Sequence, residues 1–537
     1  MPIATSHKVV IRVAGVERGV AVQVPVLIVG GGPIGLTASA LLSQHGVENL
    51  LINDRPTTST HPRARFLDVR TLEILRQMGL ADLVTATGLP PEWLQSVRYS
   101  TTFAEPEVYR LPTESYHSIP RATSPVMPVM TSQDLIEPIM FEAARSFRSA
   151  DVRFGARLIS LQQTESGCHA RFEEDGGAGD VVDVEAQWVI GADGRNSSVR
   201  SLLGGELDVG FSNAAVVQDV LYDADMSPWV GDRRGALLFV YHPMGYGLFQ
   251  PLDGDRRWRA QCTTFTPPIA PEDITEADCI AWIRSAIGDH DAQCDINVQS
   301  IAPWTPEARL SDDFRRGRVF LAGDAAHTLY PTGGLGMNLG YHGVHNLAWK
   351  LASVIHGQSS ADILSTYEIE RRPQAERTRI ASVDNARLAG ELYRAHLTGA
   401  DVDQAGHRLR QYGNFEGLIL SPEYESSLCA AEAEPPPAVD NELVDFVPSV
   451  RAGRRAPHVW IDDGRSILDV FGSEYVWLAA ESRADEAREF IVEDGPPTSV
   501  VALPDRAFEN GLYDADEAVL VRPDGVIASR ATLRASC

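Results

Sequence analysis

Val24-Pro25-Val26-Leu27-Ile28-Val29-Gly30-Gly31-Gly32-Pro33-Ile34-Gly35 is the stretch on which the fold turns. Its first six residues are almost continuously apolar and rich in β-branched side chains, as a strand buried on both faces must be. The glycines follow at once, and Ile34 to His45 then reads as a helix. Asn49 to Asn53 (NLLIN) reads as the next strand, which completes a βαβ unit and predicts an α/β fold on a parallel sheet. A GxGxxG placed between strand and helix lets backbone approach a pyrophosphate, with the N–H groups of the helix start turned to the anion. Gly30, Gly32, Pro33, Ile34 and Gly35 are therefore candidate dinucleotide contacts. The ribose partner is expected at the end of the second strand. Asn53 stands where a carboxylate would be usual and Asp54 follows, and alternation lets only one of them face the ribose.

Outward from this unit, Leu67 to Met78 carries a helical stripe ending at Gly79, positions 80–130 read as irregular, and Ser132 to Ser146 is helical. From 152 to 192 short strands alternate with turns such as the one from Glu174 to Gly177. Between about 205 and 304 aromatic and β-branched residues alternate, which predicts a mostly antiparallel sheet forming one wall of a binding site. Its candidate wall residues are Tyr241, Tyr246 and Phe249, with His242 a candidate proton acceptor beside them. Arg318 to Ala322 is another buried strand. A long helix follows, with Val344, Leu347, Ala348, Leu351, Val354 and Ile355 on one face. Residues 396–447 read as a helical region ending in the linker Glu432 to Pro437, and 448–537 as a small independent domain. Residues 1–24 are an extension.

At 537 residues the chain exceeds one core, so more than one domain is expected. Seventy-three acidic against 47 basic residues give a net charge of −26, a surface that repels polyanions and excludes nucleic acid as an expected partner. The six cysteines (Cys168, Cys262, Cys279, Cys294, Cys429 and Cys537) form no CxxC pair, so neither a disulfide framework nor a metal site is expected, and a reducing cytoplasm is. No apolar run approaches the ~18 residues a membrane span needs.

Two further fingerprints share the logic of the first. Val189-Ile190-Gly191-Ala192-Asp193-Gly194-Arg195-Asn196-Ser197 and Gly317 to His327, the latter containing Gly323-Asp324, both place an Asp beside a Gly at a strand end, where a carboxylate can grip a sugar or ribityl hydroxyl. Pro331-Thr332-Gly333-Gly334-Leu335-Gly336-Met337-Asn338 then turns into the long helix, and puts free N–H groups and a positive helix end at one spot.

In this order the three stretches resemble the group A aromatic hydroxylases, single-component FAD-dependent monooxygenases that include phenol and polyketide hydroxylases. The resemblance covers about 25–390, and 448–537 is similar to their thioredoxin-like C-terminal domain. It implies a Rossmann-like FAD-binding domain with an interleaved substrate domain across 25–395. Arg63, Arg65 and Gln133 match FAD contacts, Asp193-Gly194 a motif tied to FAD and NAD(P)H, and Asp324 the ribityl contact. The loop with Pro331, Gly333, Gly334, Gly336, Met337 and Asn338 matches the one that holds the flavin ring. Pro331 and Gly333 are candidates for shaping the oxygen pocket. Relatives commonly carry a Gln-Asp pair where His342-Gly343 stands. Absence of CxxC in the tail leaves packing or homodimer formation as its role.

The implied reaction consumes NADPH or NADH and O₂, forms a flavin hydroperoxide, and hydroxylates an aromatic, phenolic or polyketide-type substrate. Epoxidation, Baeyer–Villiger insertion or oxidative decarboxylation would use the same flavin chemistry, and a non-catalytic FAD-binding protein is a further alternative. No Trp-x-Trp-x-Ile-Pro segment of the halogenases is present.

Overall fold

The computed structural model describes residues 21–113, 116, 122–174, 179–208, 210–212, 216–288, 294–493, 495–509 and 511–533. Residues 1–20 of the N-terminal extension, most of the turn expected at 174–177, and Cys537 lie outside the described residues.

Val22–Val29 is a strand whose last four residues are buried, and Pro33–Gln44 is the helix after it, with Pro33 at its first position where its missing N–H costs nothing. Asn49–Asn53 is the second strand. These strands sit inside a sheet with the order Arg315–Arg316, Val319–Leu321, Val181–Gly191, Val22–Val29, Asn49–Asn53, Ala150–Phe154. The last five run parallel. The antiparallel pair Arg157–Gln163 and Cys168–Glu173 joins the first half of Val181–Gly191.

Register brings the three fingerprints to one edge. Val29 pairs with Gly191, and Gly191 with Leu321, so the loops after all three strands leave the sheet side by side. Backbone bonds continue past the strand ends, from Ala192 N to Val29 O at 2.7 Å and from Ala322 N to Gly191 O at 2.9 Å. An open parallel sheet binds ligands at this carboxyl edge.

The long helix Leu335–Ile355 packs across Pro33–Gln44, and glycine makes the approach close enough. A Cβ on Gly340 would lie 2.7 Å from Ile34 Cδ1, and one on Gly323 3.1 Å from Ile34 Cγ1, so Ile34 is wedged between two positions that hold no side chain. Thr366–Thr398 is a second long helix, which runs past the boundary expected at 395; its polar and apolar residues give weak periodicity, and tertiary packing of Tyr367, Leu388, Ala389 and Leu392 sustains it.

The second sheet has seven strands, ordered Asn297–Trp304, Val217–Asp223, Arg257–Cys262, Gly245–Pro251, Leu237–His242, Ser96–Ser100, Glu107–Pro112. It is antiparallel except where Ser96–Ser100 runs alongside Leu237–His242. The reading of 80–130 as irregular is corrected here: Ser96–Ser100 and Glu107–Pro112 are strands of this sheet. Strands this short, flanked by Pro, Thr and Ser, give little periodicity of their own and exist because the neighbouring edge supplies partners. The span 205–304 also contains the helix Glu276–Ile287, held by a capping box at Thr275 and Asp278 and packed on one face of the sheet.

Residues 431–440 contain no helix or strand. Beyond them a four-stranded sheet has the order Thr498–Leu503, Tyr475–Ala480, Glu517–Val521, Ile527–Thr532, with the first pair parallel and the others antiparallel. This is the mixed sheet expected of a thioredoxin-like unit.

Candidate active site

At the mouth of the parallel sheet, each glycine of the first loop has its own reason. Gly30 has φ of 112°, and a Cβ there would lie 2.3 Å from Ala192 O; a Cβ on Gly35 would lie 1.8 Å from Gly30 O. Both are demanded by the protein itself. Gly32 differs, because nothing lies within 4 Å of the Cβ it lacks. Bare backbone at a helix start, facing open space, is the cradle a pyrophosphate requires.

Asn53 turns its carboxamide toward this loop, and Gly31 N donates to its Oδ1 at 3.0 Å. Asp54 is exposed. Of the two, the structure brings Asn53 to the glycine loop and leaves Asp54 outside it.

Asp193 is not aimed at the crevice. Its Oδ1 accepts from Ser197 Oγ and its Oδ2 from Val199 N at 3.0 Å, so the carboxylate caps the short helix Ser198–Leu202. Both oxygens of Asp193, expected to grip a hydroxyl, are thus engaged within its own loop; Gly194 beside it has φ of 80° and open space about it.

Asp324 does face the crevice. Its side chain is exposed there, yet the surrounding protein pushes its pKa up to about 6 by desolvation, against the pull of Arg195 and Arg63. Close by, Ala64 O accepts from Gln133 N at 2.9 Å, which joins the Pro62–Arg65 segment to the helix Gln133–Ser146. Polar atoms are left over along this seam. Both ring nitrogens of His61, Nε and Nη1 of Arg65, Oγ of Ser132 and Oδ1 of Asp134 are buried without a partner, and buried polar groups are almost always paired.

The turn after Asp324 approaches from the other side. Gly333 and Gly334 have φ of 95° and 67°, and a Cβ on either would meet Phe415 or Phe66 within 2.9 Å. Gly334 caps the long helix, leaving the N–H groups of Leu335, Gly336 and Met337 without helical acceptors. Pro331 is exposed at the tip. Asn338 is buried, and its side chain braces the turn: Nδ2 donates to Phe66 O at 2.8 Å and Gly334 O at 2.9 Å, while Oδ1 accepts from Asp68 N and Thr71 Oγ1. The Asn338 side chain is thus taken up in bracing the turn. His342 Nε2 lies 3.2 Å from Oδ1 of Asp68, the residue that caps the helix Val69–Gln77. His327 is buried, and desolvation drops its pKa to about 3, so it stays neutral.

Strand alternation separates the substrate-wall candidates. Tyr241 and Tyr246 are register partners with ring centroids 5.1 Å apart, on the face that also carries Phe239 and Tyr99. Tyr393 of the helix Thr366–Thr398 stacks on Tyr241 at 4.4 Å, and Tyr412 meets Phe239 at 6.1 Å. This face reaches the Gly333-Gly334 turn through Tyr116, which lies 4.6 Å from Phe66, the residue against Gly334. The hydroxyls of Tyr99 and Tyr241 are buried and unpartnered.

Phe249, expected in the wall, and His242, expected as a proton acceptor beside it, lie on the opposite face from Tyr241 and Tyr246. Phe249 stacks on Trp282 at 5.5 Å and meets Phe103 at 4.9 Å. His242 sits edge-on to Trp282 with Nδ1 3.0 Å from Ser285 Oγ, and burial drops its pKa to about 4. A one-residue step along a strand reverses the face, which turns His242 toward the helix Glu276–Ile287 and away from the tyrosine face. Replacing His242 by Leu is expected to leave kcat within about threefold of the parent, whereas loss of a general base costs ~10²–10⁴; steady-state turnover of the variant checks this.

Sequence reasoning did not single out Phe66, Tyr99, Tyr116, Tyr393 and Tyr412, whose rings join this cluster, since they come from five separate segments without a shared motif. Asp68 carried a readable signal, a helix N-cap whose side chain accepts from Thr71 N.

A glycine-cradled loop at the carboxyl edge of a parallel sheet, with a second, aromatic-rich sheet beside it, is the arrangement of a dinucleotide-cofactor oxidoreductase with a separate substrate layer. Residues 23–382 match the family model described as FAD binding domain, and residues 449–536 the one described as aromatic-ring hydroxylase, C-terminal. The chain belongs to the FAD-dependent aromatic-ring hydroxylases. It is 32% identical over 536 residues to aklavinone 12-hydroxylase RdmE of Streptomyces purpurascens, and 33% identical over 545 residues to tetracenomycin B2 monooxygenase-dioxygenase of Streptomyces olivaceus, covering 95% of each chain in both cases. The solved structure of the flavin-dependent monooxygenase PieE with FAD and substrate superposes with a TM-score of 0.87 at 30% identity, over 95% of this chain and 96% of that one. The ternary complex of aklavinone-11 hydroxylase with FAD and aklavinone gives 0.81 at 30% identity, over 96% of each.

Proposed function

We propose that this chain hydroxylates a phenolic, polycyclic aromatic substrate of polyketide type, using FAD, O₂ and NADPH or NADH. The observation that carries the reading is the aromatic face of Tyr99, Phe239, Tyr241, Tyr246, Tyr393 and Tyr412, linked by Phe66 and Tyr116 to the turn at Gly333-Gly334. Bound FAD would supply the activation of O₂ that side chains cannot.

The residues present fit that cofactor. Gly30 to Gly35 offer backbone N–H groups to its pyrophosphate, Asn53 lies at the ribose end, and Asp324 is an acceptor for a ribityl hydroxyl. Arg63, Arg65 and Gln133 flank the same seam. The free N–H groups of Leu335, Gly336 and Met337 stabilise negative charge on a reduced ring at the positive end of a 21-residue helix. Pro331 offers no N–H there, and with Gly333 shapes the space above the ring. The rings of the substrate wall exclude water, and the unpaired hydroxyls of Tyr99 and Tyr241 are donors for oxygens on the substrate.

A cavity of about 280 Å³ lies behind the Asp193-Gly194 loop, lined by Arg195, Arg200, Arg309, Asn196 and Glu307 among others. Arg200 also donates to Ala325 O at 2.8 Å, next to Asp324. It is the proposed seat for the phosphates of NAD(P)H. Arg309→Ala is expected to raise the KM for NAD(P)H ~10-fold or more with little change in kcat, as loss of a charge-assisted hydrogen bond dictates; a KM at the parent value would remove the cavity from this role.

Under this proposal 25–395 forms the catalytic unit, with 448–537 held against it. The scattered free thiols Cys168, Cys262, Cys279, Cys294 and Cys429 suit the reducing cytoplasm. Among the described residues no helix is long and apolar enough to cross a membrane. A panel of phenols and polycyclic polyketide aromatics, scored for accelerated NAD(P)H oxidation and a product heavier by one oxygen, tests the reading. If no aromatic accelerates oxidation by FAD-loaded protein, it fails.

A further inference from the structure

Helix Val69–Gln77 joins two parts of the molecule that lie far apart in sequence. Its start holds the flavin-loop turn. Asp68 N donates to Asn338 Oδ1 at 2.9 Å, Thr71 Oγ1 donates to the same atom at 2.8 Å, and Asn338 in turn ties down Gly334 O.

One turn further on, the C-terminal unit grips the same helix. Arg455 makes a two-pronged contact with Glu73, its Nε 2.8 Å from Oε2. Arg70 donates to Glu73 Oε2 at 2.9 Å and to Asp524 O at 2.7 Å, and Ser124 Oγ donates to Glu73 Oε1 at 2.8 Å. The Glu73 side chain is wholly buried; burial alone would raise its pKa, but Arg455 and Arg70 hold it down at about 2. Arg76 adds bonds to Asp469 at 2.6 and 2.8 Å, and Gln77 one to Leu468 O at 2.9 Å.

A second tie reaches the long helix directly. Arg522 donates to both oxygens of Glu370 at 2.7 and 2.9 Å, and Asn346 Nδ2 to Glu370 Oε2 at 2.7 Å and Asp524 Oδ2 at 3.1 Å. Lys350 completes the group at 2.7 Å from Glu370. A unit needed only for packing would find apolar contact sufficient, because replacing buried ion pairs by apolar residues is often neutral or stabilising. What directional, paired contacts add is a single register of the two elements.

We propose that the C-terminal unit sets the position of the flavin-ring turn through helix Val69–Gln77, which makes Arg455 and Glu73 positioning residues for the hydroxylase. The effect on chemistry follows from the short reach of the N–H groups of Leu335 to Met337. Preorganised donors act at hydrogen-bond distance, and misplacement by about 1 Å costs as much as 10²-fold. The inference rests on the FAD reading above.

The test uses the full-length, FAD-loaded protein and reads the midpoint potential of the bound flavin. In Arg455→Met the potential is expected to move negative, by the equivalent of a ~2- to 30-fold change in the reduced-to-oxidised ratio. Product formed per NAD(P)H consumed should fall in parallel. Asp469→Asn, on the less buried Arg76 pair, should shift it in the same direction by less, and remains informative if Arg455→Met does not fold. A parental potential in whichever variant folds and holds FAD would overturn the proposal, even if its Tm falls. The potential needs no substrate, so a panel that yields no hydroxylated product leaves this result readable.

Discussion

Gly32→Val apoprotein is expected to fold with the parent's Tm and to bind FAD at least ~100-fold more weakly. The two halves of that result have separate causes. No protein atom lies within 4 Å of the missing Cβ, and φ at Gly32 is −78°, an ordinary extended conformation. A side chain there displaces nothing in the free protein. It does occupy the space above the helix start, where a pyrophosphate must come within hydrogen-bond distance of backbone N–H groups. Loss of one or two such bonds to a charged group costs about 3 kcal/mol or more. Isothermal titration of apoprotein with FAD, beside thermal melts of the same samples, measures both halves. Gly30→Ala is the contrasting variant. Its Cβ would collide with Ala192 O and its φ is strained, so it should lose stability before any ligand is added. Parental FAD affinity in Gly32→Val would mean that the pyrophosphate does not lie on this loop.

Asp324→Asn is expected to stabilise the apoprotein while weakening FAD, and the pH dependence separates the two effects. The folded pKa of Asp324 stands at about 6 against an ordinary 3.8, because surrounding protein disfavours its charge. Stability present below the unfolded value is therefore lost as pH rises through the folded one. Parent and variant apoproteins should melt together near pH 4, diverge between pH 4 and 6, and keep a constant gap above, with the variant higher. FAD binding runs the other way. An ionised carboxylate is the stronger acceptor for a ribityl hydroxyl, so the variant should bind FAD ~5- to 30-fold more weakly at neutral pH. The parent's affinity should fall as Asp324 protonates below pH 6, and the variant's should stay flat over that range. Equal affinities at pH 7.5 would detach Asp324 from the cofactor. This opposition of stability and binding is the usual cost of a site held ready for its ligand.

Local chemistry made the first βαβ unit legible, since a buried apolar run, a glycine turn and a second strand each leave a signal within a few residues. The same holds for the Gly333-Gly334 turn, whose backbone conformations admit little but glycine. At Asp193 a carboxylate beside glycine reads alike whether it faces a ligand or caps a helix. The orientation is decided by Ser197 and Val199 N, which compete for its oxygens. His242 and Phe249 misled because a run such as Leu237 to His242, buried on both faces, has no polar alternation to mark which face meets the crevice.

By itself the sequence determined the class of the cofactor and the edge of the sheet that carries it, because strand-loop-helix transitions are set by neighbouring residues through steric and hydrogen-bond demands a few residues long. Only the tertiary structure decided which rings share one face of the second sheet, that Asp68 comes beside His342, and that the C-terminal unit grips the helix whose start braces the Gly333-Gly334 turn. Those relations join residues hundreds of positions apart. They arise from sheet register and from buried charges that must find partners wherever packing brings them, and nothing along the chain records that geometry.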